Sequence, residues 1–437
     1  MSVWKAIRTS VVLSVLFLVI YGTCNWVASL RTDVSSLHFS WEDRIPFVPW
    51  MIIPYMSIDL FFVGAPFLCR SDEELRILSR RITFGILVAG VFFLLFPLRF
   101  AYERPVVNGW LGPLFNSFRG MDKPFNLVPS LHICLRTILA AVYVRHTRGP
   151  WRFASRVWFS LIGFSTVLTY QHHLLDVAGG FLLAAYAFFL FPEPASKLRV
   201  IPNRRVGAYY ALAALTLLMV AWQLRSWSLV MLWPAASLAI VASAYFGFGP
   251  GIYRKTAGRL PLSSRLALAP NLFGQYLSLL YYRRQCRPWD EVVPGVWIGR
   301  KLTAAEAADA VRLGVTAVLD LTAEFDEAKP FLDVAYLNIP ILDLTAPTQE
   351  QLAQMGDFIS DQTTKGIVCV HCKIGYSRSA AAVGAYLMQT GKVSDANELM
   401  AKLRQIRPSI VVRLEIRAAL RSFNPHARPQ PVEMSPQ

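Results

Sequence analysis

The sequence predicts a multi-domain fold: an all-α polytopic membrane bundle of about eight spans, followed by an α/β domain. The first observation is composition. Of the 437 residues, 54% are hydrophobic and only 16% are charged, which is typical of membrane spans joined to a smaller soluble part. The second is a change of pattern, because long apolar runs fill the chain to about residue 250, whereas short apolar runs alternate with helical periodicity after Pro288.

Apolar runs of near-bilayer length are the elements of the predicted bundle. They cover residues 9–29, 48–69, 82–102, 128–146, 157–172, 174–192, 207–224 and 228–248. The first run follows Lys5 and Arg8 and could be a signal peptide, but its length and the lack of a clean cleavage site favour a first span. We therefore predict a membrane domain over 1–206 and two additional spans over 207–250.

Basic residues predict the orientation of the bundle. The net charge of +16 does not indicate a nucleic-acid partner, because the basic residues of the first half lie mainly in short loops between apolar runs. The basic loop residues are Arg70, Arg76, Arg80, Arg81, Arg145, Arg148, Arg152, Arg156, Lys197, Arg199, Arg204 and Arg205. The alternate loops, at 30–46, 103–127 and 225–227, are poorer in basic residues. The positive-inside rule then predicts that both termini are cytoplasmic.

The soluble part begins with a basic amphipathic linker over 251–288, where residues 260–284 are predicted to form an interfacial helix. An α/β domain follows over 289–424. Its predicted strands are VWIG, TAVLDLT, YLNIPILDL and GIVCVH, and its predicted helices are TAAEAADAVRLG, SRSAAAVGAYLMQTG and SDANELMAKLRQIRP. The tail at 425–437, rich in Pro and Gln, is predicted to be disordered.

One loop of this domain, HCKIGYSRS, joins the strand GIVCVH to the next helix. Such a loop turns its N–H groups inward, where a phosphate can bind, and these groups favour the thiolate form of Cys372. Gly375 lets the loop curl closely around a ligand. Arg378, six residues after the cysteine, can bind two phosphoryl oxygens. Ser379 could hydrogen-bond the thiolate when it becomes the leaving group.

The loop resembles the signature His-Cys-x5-Arg-Ser/Thr of the cysteine-based protein phosphatases, and more narrowly of their dual-specificity branch. The matching positions are His371, Cys372, Arg378 and Ser379. The resemblance implies a cysteinyl-phosphate intermediate that water hydrolyses, with no metal or cofactor, and substrate binding by the loop residues Lys373, Gly375 and Ser377. A basic Lys373 suits strongly acidic substrates, although an exposed lysine without a role is the alternative. The alternative for the whole loop is a buried cysteine beside an ordinary helix cap.

A general acid must protonate the leaving oxygen, because an alkoxide leaves poorly at neutral pH. Asp320 and Asp343 compete for this role, each within Leu-Asp-Leu-Thr. The family's acid lies on a loop some thirty residues before the cysteine, which fits Asp343. We therefore predict Asp343 as the acid and Asp320 as a structural residue at a strand end.

A second set of polar residues lies at the ends of predicted spans, where ionisable groups are costly and point to function. The set consists of Arg104, Ser130, His132, His172 and Asp176, all on the predicted non-cytoplasmic side. It resembles the three motifs of the type 2 phosphatidic acid phosphatase superfamily, which implies a six-helix lipid-phosphatase-like core. By that resemblance His172 attacks phosphorus, Asp176 orients its ring and His132 protonates the leaving group. Arg104 and Ser130 would bind phosphoryl oxygens.

This second set departs from the family pattern. Pro97 and Thr166 occupy positions where the motifs have a lysine and an arginine, so two cationic phosphate ligands are missing. Lipid phosphotransfer is therefore an alternative to hydrolysis. Helical spacing alone would also let His173 reach Asp176, and satisfied interfacial histidines are the non-catalytic alternative.

The order of the two resemblances fits bacterial inner-membrane proteins that fuse a lipid-phosphatase-like bundle to a dual-specificity phosphatase domain. We predict a membrane phosphatase with a cytoplasmic C-terminal site and a periplasmic membrane site. Lipid phosphates are the expected substrates, and phosphoproteins are a second candidate for the C-terminal site. The main alternative is a lipid phosphotransferase whose C-terminal domain is a phosphatase or a phospho-ligand sensor that regulates it. The sequence leaves the oligomeric state open.

Overall fold

A computed structural model describes residues 2–32, 34–192, 201–223 and 228–424 of the chain. Contacts divide the chain into two units, Met1–Pro194 and Ala195–Gln437. The two additional spans predicted over 207–250 therefore belong to the same unit as the α/β domain. The predicted disordered tail, the loop 225–227 and the basic residues Lys197 and Arg199 lie outside the described residues.

The first unit is helical. Its helices are α1 (Val3–Ser29), α2 (Ile52–Leu68), α3 (Asp72–Leu95), α4 (Gly112–Met121), α5 (Leu131–His146), α6 (Gly149–Leu168) and α7 (Leu174–Leu190). Their core consists of aliphatic, aromatic and small residues from several helices, such as Ile86 of α3 and Ile138 of α5, both almost fully buried. The polar residues of the candidate membrane site are found where these helices begin and end.

The described helices only partly test the predicted spans. Five stretches are long and apolar enough to cross a bilayer: Val3–Ser29, Pro49–Leu68, Asp72–Leu95, Arg204–Gln223 and Leu229–Phe248. A sixth apolar helix, Leu174–Leu190, is shorter. These findings agree with a membrane protein, and the count of eight spans stays a prediction.

Two predicted basic loops are wrong in their extent. Arg152 and Arg156 lie inside α6, which begins at Gly149. Arg76, Arg80 and Arg81 lie inside α3, because that helix begins at Asp72 rather than near residue 82. The Ser71 hydroxyl accepts a hydrogen bond from the Glu74 N–H at the helix start. Acidic residues in the first turn stabilise the helix because they interact favourably with the positive end of its dipole. These capping signals, rather than the start of the apolar run, determine where the helix begins.

The second unit opens with a hairpin of two packed helices, α8 (Arg204–Gln223) and α9 (Ser228–Ser243). Two shorter helices follow, α10 (Leu262–Ala267) and α11 (Ala269–Arg283). They occupy the segment that the sequence predicts as an interfacial helix, with a break at Leu268. We call α8 and α9 together the membrane hairpin.

The α/β domain contains a five-stranded sheet in the order β1-β2-β5-β3-β4. The strands are β1 (Trp289–Val293), β2 (Val296–Arg300), β3 (Val315–Thr322), β4 (Ala335–Ile341) and β5 (Ile367–Cys372). The helices are α12 (Ala304–Arg312), α13 (Lys329–Leu332), α14 (Gln349–Gln362), α15 (Ser377–Gln389), α16 (Ala396–Ile406) and α17 (Leu414–Arg421). Strand β1 is antiparallel to β2, and the other neighbours are parallel.

The central strand β5 is buried from Val368 to Cys372, as expected for a strand covered on both faces. One face packs against α14 to α17 and the other against α12 and α13. Because β2, β3, β4 and β5 are parallel, their carboxyl ends meet at one edge of the sheet. Cys372, the last residue of β5, is therefore presented at the edge where this class of fold binds ligands.

Candidate active sites

The loop between β5 and α15 has the shape that the sequence predicts for a phosphate-binding loop. Cys372 ends β5 and Ser377 begins α15. Gly375 has a φ of 76°, and a Cβ there would lie 2.5 Å from the carbonyl of Gly299. Only glycine meets both requirements, so it allows the loop to close over the end of β2.

The surroundings of Cys372 favour its thiolate. Burial would raise the pKa of Cys372, but the charge of Arg378 and hydrogen bonds from Ser379 and from the Ile374 N–H lower it below the ordinary value. The thiol of Cys369, three positions earlier on the same strand, has a raised pKa because it is fully buried and, to a smaller extent, because it lies near the negative charge of Glu327. The strand therefore carries one sulfur whose pKa is lowered and one whose pKa is raised.

This contrast predicts selective alkylation. At neutral pH we expect iodoacetamide to modify Cys372 at least about tenfold faster than Cys369, because only the thiolate is the nucleophile. Peptide mass spectrometry of the full chain would measure both rates, and inorganic phosphate should slow only the reaction at Cys372. Equal rates, or faster reaction at Cys369, would contradict the electrostatic account.

Arg378 is held in place by a carboxylate that the sequence did not reveal. Its Nη2 lies 2.8 Å from Oε1 of Glu324, and its Nη1 lies 3.1 Å from Oε2 of the same residue. Nη1 also donates to the carbonyl of Ile341 at 2.9 Å. Burial would lower the pKa of Arg378, but the charge of Glu324 raises it well above the ordinary value. Glu324 follows β3 at the ligand-binding edge of the sheet. That position after a predicted strand is the signal by which the sequence could have indicated Glu324 as a site residue.

The two candidate acids have different surroundings. Asp343 lines the same pocket as Cys372, its side chain is 34% exposed, and its Oδ1 lies 3.6 Å from Nη2 of Arg378. Asp320 is fully buried and bonded to Lys255, to the Tyr336 hydroxyl at 2.7 Å and to the Thr322 N–H at 2.8 Å. Only Asp343 is placed where it can meet a substrate in the pocket.

The remaining loop residues are all close to the pocket. Lys373 is buried, so it is not the exposed lysine of the alternative interpretation; its Nζ donates to Oε1 of Gln275 at 2.8 Å. Burial lowers the pKa of Lys373. The hydroxyl of Ser377 donates to the carbonyl of Val411 at 2.8 Å, which ties the start of α15 to the segment before α17.

A buried polar network lies behind the loop. His371 Nε2 lies 2.8 Å from Oε2 of Glu327 and 3.9 Å from Oδ1 of Asp320. These three side chains have the spacing of a metal-binding group among the described residues. Lys255 pairs with Asp320. Burial would lower the pKa of His371, but the negative charges of Glu327 and Asp320 raise it above the ordinary value. The network therefore positions the strand end that carries Cys372.

In the membrane unit, the structure distinguishes the two neighbouring histidines. His172 Nδ1 lies 3.5 Å from Oδ2 of Asp176. The ring of His173 instead pairs with Glu42, at 2.9 Å, and accepts the Ala101 N–H. Oδ2 of Asp176 accepts the backbone N–H of His173 at 2.8 Å, where it caps α7. The ring facing Asp176 is therefore that of His172, as the family spacing predicts, and Glu42 was not predicted.

The other predicted residues of this site lie close by. Ser130 caps α5 by accepting the Ile133 N–H, and its own N–H donates to the carbonyl of Asp176 at 3.0 Å. His132 stacks on Tyr55, with ring centroids 4.2 Å apart. His132 and His172 are close enough to interact electrostatically, so the two histidines belong to one polar cluster.

Arg119 of α4 is a cation near this site that was not predicted from the sequence. Its guanidinium carbon lies 5.1 Å from the centroid of the Phe115 ring. Its positive charge interacts with that of Arg104. Its Nε and Nη2 atoms, and the Nε of Arg104, are buried without a hydrogen-bond partner in the described part of the chain. Arg104 also donates to the carbonyl of Asp122, whose charge interacts with His172. Two guanidinium groups with unused donors therefore lie near the histidines.

The departure at Thr166 has a structural role. Its backbone carbonyl accepts the N–H groups of Gln171 and His172, at 3.1 and 2.9 Å, and its hydroxyl donates to the carbonyl of Gly163. Thr166 therefore shapes the turn that presents His172. It supplies no cation, whereas the guanidinium groups of Arg104 and Arg119 lie near this cluster.

Comparisons with known proteins match both units. The dual specificity phosphatase catalytic domain matches residues 296–425, and the PAP2 superfamily matches residues 52–190. Dual specificity protein phosphatase 26 of Rattus norvegicus is 30% identical over 156 residues, covering 31% of this chain and 72% of that protein. Dual specificity protein phosphatase Mpk3 of Drosophila melanogaster is 29% identical over 147 residues, covering 32% of this chain but only 35% of that protein.

Solved structures match the same C-terminal region. Tk-PTP in its active form is 26% identical, with a TM-score of 0.29, and the match covers 30% of this chain and 93% of that one. PTPMT1 is also 26% identical, with a TM-score of 0.28, and the match covers 31% of this chain and 92% of that one.

Proposed function

We propose the function of this chain from its family: through its C-terminal domain it belongs to the dual-specificity phosphatases. It is a phosphoric monoester hydrolase. A cysteine with a lowered pKa, a buried arginine and an aspartate line one pocket. We assign the catalytic roles from this observation. Cys372, Arg378 and Asp343 are the residues that we assign to catalysis.

In the first step, the thiolate of Cys372 attacks phosphorus. An S–P bond forms while the bond from phosphorus to the leaving oxygen breaks, and Asp343 gives that oxygen its proton. Arg378 binds two equatorial phosphoryl oxygens and compensates the transition-state charge. Glu324 acts as a positioning residue because it keeps the guanidinium plane fixed before substrate binds.

In the second step, water attacks the cysteinyl phosphate and the S–P bond breaks. Asp343, now ionised, takes a proton from the water, which returns the acid to its starting form. The leaving thiolate of Cys372 regains its hydrogen bond from Ser379. The products are inorganic phosphate and the regenerated thiolate.

Trapping the intermediate tests this proposal. Full-length protein would be mixed with p-nitrophenyl phosphate, quenched in acid within one turnover and digested for mass spectrometry. We expect a phosphate mass on the peptide that contains Cys372, and none on that peptide when Cys372 is replaced by serine. Phosphate release without any phosphorylated Cys372 would overturn the mechanism.

We propose that the membrane domain acts on lipid phosphates through His172. The ring nitrogen away from Asp176 would attack phosphorus, forming an N–P bond as the P–O bond breaks, and His132 would protonate the leaving oxygen. The proximity of His172 to Asp176 supports this assignment. Arg104 and Arg119 would together compensate the negative charge of the phosphate. In the family motifs, the lysine and the arginine that this chain lacks have that role.

Arg119 offers a direct test of that compensation. Arg119→Ala is expected to slow turnover of phosphatidic acid by about 10²-fold, as for removal of one preorganised transition-state donor. Arg119→Lys should retain part of the activity, since it keeps the charge but loses the fork of donors. Rates would be measured in a Cys372→Ser background so that only the membrane site contributes. Unchanged turnover in Arg119→Ala would remove Arg119 from the site.

Hydrolysis and head-group transfer share the phosphohistidine step and differ in the acceptor, which is water or a lipid hydroxyl. Lipid extracts from cells that make the wild type or His172→Ala would separate them. Loss of a lipid phosphate that depends on His172 supports hydrolysis. A new phospholipid that depends on His172 supports transfer instead.

We further propose that the protein resides in a bacterial inner membrane with the C-terminal domain in the cytoplasm. The distribution of basic loops and the unpaired cysteines support this orientation. A C-terminal reporter that is active only in the periplasm should stay silent. Reporter activity would reverse the proposed topology.

A further inference from the structure

Helix α11 contributes one side to the phosphatase pocket. Ser278 and Tyr282 of this helix line the cavity together with Cys372 and Arg378. Gln275, on the same side of the helix by its spacing, accepts the hydrogen bond from Lys373 at 2.8 Å. The pocket is therefore built from the phosphatase domain and from the segment that precedes it in the chain.

The membrane hairpin contacts the same region. Asn203, just before α8, donates to the carbonyl of Leu344 at 2.7 Å, and the hydroxyl of Tyr245, just after α9, donates to the carbonyl of Asp343 at 2.9 Å. The open ends of the hairpin thus bind the loop that carries the candidate acid. Because α8 is long and apolar enough to cross a bilayer, these contacts place the pocket beside the membrane surface.

The opposite side of α11 is apolar and uncovered. Phe273, Leu277 and Tyr281 follow each other at intervals of four residues and are 64%, 49% and 63% exposed. This spacing puts them on one stripe of the helix, and Arg283 and Arg284 come directly after it. An apolar stripe ending in basic residues is the pattern of a helix that lies in the bilayer interface. Continuity with the membrane hairpin identifies the bilayer as its occupant.

We propose that α11 lies in the bilayer interface as the membrane-side wall of the Cys372 pocket, and that this site therefore acts on phosphomonoesters carried by lipid head groups. The proposal rests on the phosphatase function proposed for Cys372. A head group lying at the membrane surface reaches the pocket along α11 without leaving the bilayer. The buried cations Lys373 and Arg378 provide charge for such an anionic head group.

The test separates binding at the interface from chemistry. Full-length protein carrying His172→Ala, so that the membrane site is silent, would be reconstituted in phosphatidylcholine vesicles. Three substrates would be compared: a phosphatidylinositol monophosphate in the same vesicles, a phosphotyrosine peptide and p-nitrophenyl phosphate. We expect kcat/KM for the lipid to exceed that for the peptide by about tenfold or more, because the interface concentrates and orients the head group.

A variant of the apolar stripe then tests the role of α11. Replacing Phe273, Leu277 and Tyr281 together by serine is expected to lower turnover of the lipid by about tenfold, because burial of the helix in the interface is lost. Turnover of p-nitrophenyl phosphate should stay within about twofold, since the chemistry is unchanged. Phe273→Leu with Tyr281→Leu keeps the stripe apolar and should retain lipid turnover.

Three outcomes would overturn the proposal: preference for the peptide over the lipid, an equal loss on lipid and aryl phosphate in the serine variant, or no loss on the lipid. A peptide preference would assign the site to phosphoproteins. Leu313→Ser removes another exposed apolar side chain, outside the pocket lining, and should leave all three rates unchanged. Absence of aryl phosphate turnover in the starting protein would instead refute the phosphatase function itself.

Discussion

Replacing Cys372 by serine is expected to reduce hydrolysis of p-nitrophenyl phosphate by about 10⁴-fold or more, because the covalent step loses its nucleophile. The surroundings of Cys372 lower its pKa below the value of an ordinary thiol, which provides a reactive thiolate. A serine hydroxyl in the same place stays protonated at neutral pH and is therefore a much weaker nucleophile than the thiolate. Measurement in a His172→Ala background removes any contribution from the membrane site.

The matched control is Cys369→Ala. Cys369 lies on the same strand and is fully buried, but it does not line the pocket. Its replacement should leave kcat close to the wild-type value, since only packing changes. Undiminished turnover in Cys372→Ser would reject the assignment of the nucleophile.

The same variant separates an enzyme from a phospho-ligand sensor. Cys372→Ser keeps Arg378, Gly375 and the inward N–H groups, so it should still bind a phosphate ester while failing to hydrolyse it. A sensor would bind in both the wild type and the variant, with turnover in neither. Comparing binding and turnover on the same preparation distinguishes the two functions.

The phosphate loop could be predicted from the sequence because its parts are contiguous. Cys372, Gly375, Arg378 and Ser379 lie within eight consecutive residues, and a strand–loop–helix order fixes their arrangement locally. The carboxylate that holds Arg378 could not be found in the same way. Glu324 comes from the end of a different strand, and only the sheet order brings β3 beside β5.

The sequence prediction missed β1, α13, α14 and α17 of the α/β domain. Strand β1 carries Asp290 and Glu291, and its pairing with β2 at the sheet edge stabilises it more than its own composition does. Helix α14 is rich in polar residues, and its capping box from Thr348 to Gln351 was a signal that the hydrophobic pattern did not include. Tertiary contacts, more than the local hydrophobic pattern, stabilise β1 and α14.

In the membrane unit, motif spacing identified His172, Ser130 and Asp176 but not the residues that surround them. Glu42 and Arg119 lie on segments that are far away in the sequence and carry no recognisable motif. Their roles follow only from which helix ends meet. The sequence could show that two cations were missing from the motifs, and only the fold could show which cation lies beside Arg104.

The general acid is the assignment with the next largest expected effect. Asp343→Asn should slow hydrolysis of an alkyl or lipid phosphate by about 10²- to 10⁴-fold, because the amide cannot protonate the leaving alkoxide. An aryl phosphate with a good leaving group needs little protonation, so its rate should fall much less. Comparing the two rates in the wild type and in Asp343→Asn measures this dependence on the leaving group.

Asp320→Asn is the matched comparison, since both aspartates occur in Leu-Asp-Leu-Thr. The carboxylate of Asp320 is buried and paired with Lys255, so its loss should lower the free energy of unfolding by about 3–5 kcal/mol. Its effect on rate should be the same for alkyl and aryl phosphates, because a stability defect does not depend on the leaving group. If Asp320→Asn, and not Asp343→Asn, produced the leaving-group dependence, the acid would be Asp320. A side chain that is open to the pocket and near both Arg378 and Lys373 can reach a leaving oxygen, and among the two aspartates only Asp343 has that position.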